Sequence, residues 1–107
     1  MTIYGQTKDI IVRKLTDEDA EKYLELMLEH GTAADYTVDE IKLVLARRNE
    51  QGTTQAVITS ADGNIVYGFC GILHTPVGEP QIRVTFFKKY NNEEYNRQAK
   101  AVMESLT

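Results

Sequence analysis

Apolar residues recur along this chain with two periods, and each change of period marks a boundary between elements. Ile10, Ile11, Val12 and Leu15, placed just before an acidic segment, predict a short strand, whereas the leader Met1–Lys8 has no clear period. Ala20, Tyr23, Leu24, Met27 and Leu28 then fall at i, i+3, i+4, i+7 and i+8, the single apolar stripe of an amphipathic helix. Thr16 is its expected N-cap, since a hydroxyl there accepts from the first backbone donors. Asp17, Glu18 and Asp19 set negative charge at the positive end of the helix dipole. Gly31 is its expected stop, because glycine enters the left-handed conformation without a Cβ penalty.

Thr37 and Glu40 form a T-x-x-E capping box that opens a second helix with Val38, Ile41, Val44 and Leu45 inward. Arg47 and Arg48 suit its last turns, and Gly52 ends it. Two strand-like runs, Gln55–Ser60 and Ile65–Leu73, flank Ala61-Asp62-Gly63-Asn64, where Asp-Gly between β-branched runs predicts a hairpin. His74–Pro80, with Pro76, Gly78 and Pro80, reads as a loop and Gln81–Phe87 as another strand. Tyr95, Ala99, Val102, Met103 and Leu106 give a last helix over about Asn92–Leu106. The predicted order is β-α-α-β-β-β-α: an α+β domain spanning residues 1–107, with helices on a mainly antiparallel four-stranded sheet.

Composition narrows the class without naming a chemistry. With 42% hydrophobic and 26% charged residues the chain is ordinary for a globular domain, and no run approaches the roughly 20 apolar residues of a membrane span. The lone Cys70 excludes an intramolecular disulfide and suits a reducing compartment, so a cytoplasmic location is expected. The net charge is −4, and residues 1–52 carry 7 Lys and Arg against 11 Asp and Glu, while residues 53–107 carry 5 of each. No large basic face is available, which argues against nucleic acid as a partner.

The candidate chemistry is sparse. Cys70 and His74 would form a thiol–imidazole pair if the strand carried both on one face; otherwise Cys70 is a small core residue. His30 and His74 with one cysteine do not make a metal site, which needs three or four convergent ligands. Glu21, Glu25 and Glu29 recur at i+4 as an acidic stripe, read first as a solvated face and second as an attractor of an amine or a basic partner. Arg83, Lys88 and Lys89 are the basic cluster of the second half. They are expected to pair with Glu93 and Glu94 or to guard an edge strand, and alternatively to meet a phosphate. Tyr67, Phe69, Phe86, Phe87, Tyr90 and Tyr95 read as packing residues.

Taken together, Val12-Arg13-Lys14-Leu15-Thr16-Asp17-Glu18-Asp19-Ala20, Thr37-Val38-Asp39-Glu40-Ile41 and Asp62-Gly63-Asn64-Ile65-Val66-Tyr67-Gly68-Phe69 resemble the N-terminal half of the GNAT (GCN5-related N-acetyltransferase) superfamily. That family has an arginine-containing first strand, two helices and a meander whose second strand reads apolar-Gly-aromatic. The resemblance implies acetyl-CoA as cofactor and a small amine as acceptor, with backbone donors of the fourth strand polarising the thioester. It also implies a pyrophosphate loop, Gln/Arg-x-x-Gly-x-Gly/Ala, at the start of the third helix, where glycines and the helix terminus hold phosphate.

By position that loop falls on Phe87, Lys88, Lys89, Tyr90, Asn91, Asn92, Tyr95 and Asn96, with Asn91 on the Gln/Arg and Glu94 and Asn96 on the small residues. Glu93 and Glu94 put two carboxylates where a pyrophosphate would sit, which opposes acetyl-CoA. The family also continues past the third helix, so a truncated form is expected, with Gln81–Phe87 at a sheet edge open to a second copy or a partner strand. Two functions are carried forward: an acetyl-CoA-dependent amine N-acetyltransferase, and a non-catalytic binding or regulatory module on the same scaffold. No catalytic residue and no metal ligand is assigned.

Overall fold

The computed structural model describes residues 2–31, 35–74 and 76–107, so Thr75 of the expected loop lies outside the described residues. In chain order the elements are β1 (Ile3–Gln6), β2 (Ile10–Lys14), α1 (Ala20–Glu29), α2 (Val38–Glu50), β3 (Thr54–Ser60), β4 (Val66–Leu73), β5 (Gln81–Phe86) and α3 (Glu93–Glu104). Single 3-10 turns, Asp17–Asp19 and Lys88–Tyr90, lead into α1 and towards α3.

The sheet has five strands in the order β1-β2-β3-β4-β5, each antiparallel to its neighbours, so the expected four-stranded sheet is corrected by one. The added strand comes from the leader without a period. β1 is short, lies at an edge and leaves Ile3 half exposed, so it never acquires the alternation of a strand with one buried face. Its place is set by α3 instead. A Cβ on Gly5 would stand 2.6 Å from a methyl of Val102, so only glycine lets β1 pass beneath that helix.

The helices cover opposite faces of the sheet. α3 places Ala99 and Met103 on Ile10, Val12, Ala56, Ile58, Cys70, Ile72 and Phe86. α1 and α2 place Ala20, Leu26, Ile41 and Leu45 on Leu15, Val57 and Phe69. β3 is therefore sandwiched and buried along Gln55–Ser60, as a continuous run on a central strand requires. The buried Gln55 amide donates to Leu45 O at 3.0 Å and to Asn49 Oδ1 at 2.9 Å, which locks the end of α2 to the sheet.

The α2 cap follows the sequence, whereas the expected Thr16 cap of the first helix is corrected: Thr16 heads the 3-10 turn, and Asp19 is the N-cap of α1 itself. In α2, Glu40 N donates to Thr37 Oγ1 at 3.2 Å while Thr37 N donates back to Glu40 Oε1 at 3.3 Å. Before α1, Thr16 N donates to Asp19 Oδ2 at 2.8 Å, and the Arg13 guanidinium reaches both Asp19 oxygens at 2.9 Å. Burial alone would raise the Asp19 carboxyl, but the hydrogen bonds from Arg13 and Thr16 outweigh it and hold it below the usual range. The arginine of the first predicted strand thus anchors the entry to α1. No helix among the described residues is long and apolar enough to cross a membrane.

Candidate functional site

β4 is irregular where the apolar-Gly-aromatic motif lies. Ile58 pairs with Gly68 and Thr59 with Val66, so Tyr67 is an extra residue, a β-bulge. The bulge reverses the parity of the strand. Val66 joins Phe69 on the α1/α2 face, and Tyr67 turns to the α3 face, where it stacks on Tyr95 at 5.3 Å and meets Tyr90 at 4.9 Å. Burial pushes the Tyr67 phenol upward, with the neighbouring Tyr95 adding to it. Gly68 is packed against β5, and a Cβ there would lie 2.3 Å from Thr85 O and 2.8 Å from Phe86 Cα.

Beyond β5 the chain enters the turn to α3, which carries the eight residues predicted from the family loop. Tyr90 and Tyr95 pack on the α3 face with Tyr67, whereas Phe87 packs on the α1/α2 face. Phe87, Lys89 and Tyr90 line a recess of about 440 Å³ shared with Lys22, Glu25 and Glu29. At the start of α3, Asn92 Oδ1 accepts from Tyr95 N at 2.8 Å, and Asn96 Nδ2 donates to Asn91 Oδ1 and Asn92 O at 2.9 Å each. Glu94 binds Arg97 and accepts from Gln98 Nε2 at 3.0 Å, bonds that lower its carboxyl pKa, the Gln98 bond first. The expected pairing of Arg83, Lys88 and Lys89 with Glu93 and Glu94 is therefore corrected: Glu94 pairs within its own helix. Lys89 Nζ lies 5.4 Å over the Tyr90 ring.

β5 is an edge of the sheet. Phe87 N donates to Tyr67 O at 2.9 Å, so by antiparallel alternation Ile82, Val84 and Phe86 turn their backbone groups outward. The end of α1 occupies two of the outward groups along this connection. His30 Nε2 donates to Phe86 O at 3.2 Å, and Glu29 Oε1 accepts from Lys88 N at 2.5 Å. Glu29, read from the sequence as part of a solvated stripe, is thus a tether between layers.

A larger cleft of about 720 Å³ opens between the α1/α2 layer and the β4–β5 half of the sheet. α1 contributes Tyr23, Leu26 and Met27, its C-cap contributes His30, α2 contributes Arg48, and the sheet contributes Phe69, Gly71, Leu73, Arg83 and Thr85. Tyr23 meets Phe69 edge-on at 5.1 Å, and Arg48 Nη1 donates to Tyr23 Oη at 2.6 Å. Sequence reasoning missed this site. Arg48 and Arg83 were legible as cations, but no periodicity says that they share a cleft.

The thiol–imidazole pair does not form. Cys70 belongs to the core under α3, where burial pushes its thiol up to about 12, while His74 is exposed and lies 3.4 Å from Thr54 Oγ1.

No model of a known protein family matches the sequence, and no curated protein does. Among solved structures, an acetyltransferase of Trypanosoma brucei is similar, with a TM-score of 0.69 at 17% identity over 90% of this chain and 73% of that chain. The fold is thus GNAT-like, an acetyltransferase-type α+β scaffold; at that identity the likeness is one of fold.

Proposed function

We propose that this chain is a ligand-binding module on an acetyltransferase-type scaffold, without the helix-terminal cradle that acetyl-CoA needs. The observation that carries this reading is the closed start of α3. Residues 87–96 contain no glycine, Asn92 takes the Tyr95 N–H that a phosphate would use, and Glu93 and Glu94 fill the first turn. These residues do not fit a pyrophosphate. The edge of β5 supports the same reading, because Phe86 O and Lys88 N are already bonded to His30 and Glu29.

Acetyl-CoA titration followed by thermal shift tests it. A ligand at 10 times its Kd stabilises by about 1.4 kcal/mol, a shift of about 6 °C or more in a domain of this size. The expected result is no shift at 1 mM acetyl-CoA. Binding tighter than about 100 μM overturns the reading in favour of an amine N-acetyltransferase.

A further inference from the structure

The cleft between α1/α2 and β4–β5 contradicts the charge of the molecule around it. The chain carries −4 overall, yet no Asp or Glu lines this cleft, and Arg48 and Arg83 both do. Neither arginine makes an ion pair among the described residues, whose three salt bridges join Arg13–Asp19, Lys22–Glu25 and Arg97–Glu94. Arg48 spends one donor on the hydroxyl of Tyr23, and a guanidinium has five. Arg48 stands on the helical wall and Arg83 on the sheet wall, and between them lie aromatic and aliphatic surfaces from Tyr23, Phe69, Met27 and Leu73.

We propose that this cleft binds a small anion, a carboxylate or a phosphate monoester carried on a short apolar or aromatic body. The head would lie against the guanidinium groups, which suit the planar, two-oxygen edge of either anion, and the body against Tyr23 and its neighbours. The volume of about 720 Å³ is within the roughly 300–1,000 Å³ of small-molecule sites. The inference deepens the binding-module reading by naming its ligand chemistry, and it uses none of the α3 turn.

The test is amide NMR titration of the whole chain at constant ionic strength, without any thioester, so that an acetyl-CoA result leaves it standing. Phenylacetate and phenyl phosphate are the anionic probes, with 2-phenylethanol as the neutral and phenethylamine as the cationic control. One or both anions are expected to shift the amides of Gly71 and Thr85, and which of them binds distinguishes the carboxylate from the phosphate. Arg83→Gln, at an exposed position without an ion pair, is expected to weaken that binding about tenfold with an unchanged melting temperature. Arg48→Gln is expected to weaken it as well. The proposal is overturned if neither anion binds at 10 mM, if the neutral probe binds as tightly, or if Arg83→Gln leaves affinity unchanged.

Discussion

Replacing Gly68 by alanine tests the packing that places β5 beside the cleft. The added Cβ would stand 2.3 Å from Thr85 O, 2.8 Å from Phe86 Cα and 3.1 Å from Thr85 C, all backbone atoms of the neighbouring strand. Carbon contacts are comfortable at about 3.5–4.0 Å, so β5 must withdraw by about 1 Å. Such a shift stretches the 2.9 Å bond from Phe87 N to Tyr67 O beyond hydrogen-bonding length. Gly68 does not use a positive φ, so nothing in the local backbone resists alanine, and the unfolded chain even favours it by about 0.4–1 kcal/mol.

The steric term outweighs that gain. Overpacking and one or two weakened ladder bonds together give a net loss of about 2–4 kcal/mol. Urea denaturation should show it, with a fall of at least about 8 °C in the thermal midpoint and faster hydrogen exchange at the Phe87 amide. Gly71→Ala is the matched control, since its Cβ would meet only Thr54 O, at 3.0 Å, and the expected loss is within about 1 kcal/mol. A Gly68→Ala protein within about 0.5 kcal/mol of the parent, or no less stable than the control, would refute the reasoning.

Asp19→Asn removes the negative charge of a nearly buried pair and turns one of its two accepting oxygens into a donor, and should destabilise by about 3 kcal/mol at pH 7. The Asp19 carboxyl is held below its unfolded value of 3.8, so its contribution is present above that pH and fades as the pH falls through the folded value. Urea midpoints of the two proteins should therefore converge below about pH 3.8. Cys70, buried with its thiol pushed up to about 12, should react with a thiol reagent at pH 8 only through opening of the fold; labelling within minutes in native buffer would contradict its core position. Asn92→Ala should cost about 1 kcal/mol in chemical denaturation by freeing the Tyr95 N–H, and an unchanged midpoint would mean that the cap is not formed in solution.

Local chemistry carried most of the element boundaries. Thr37 and Glu40 announce α2 because both halves of a capping box lie within one turn, and Asp62-Gly63 announces the hairpin because Gly63 takes φ +79° there. β1 was illegible because its partner surface, Val102, lies at the other end of the chain. The turn into α3 was found by position, and its side chains were not: Asn92 caps its own helix and Glu94 turns to Arg97 and Gln98. The cleft was missed because Arg48 and Arg83 come from separate elements and line one cleft only once the helical layer packs on the sheet.

The sequence by itself determined the helices, the hairpin, the α+β class and the acidic residues at the start of α3, since each depends on residues a few positions apart. Tertiary structure decided the fifth strand, the bulge that turns Tyr67 towards α3 and the cationic cleft. These depend on which distant surfaces meet, and neither local propensity nor hydrophobic period encodes that.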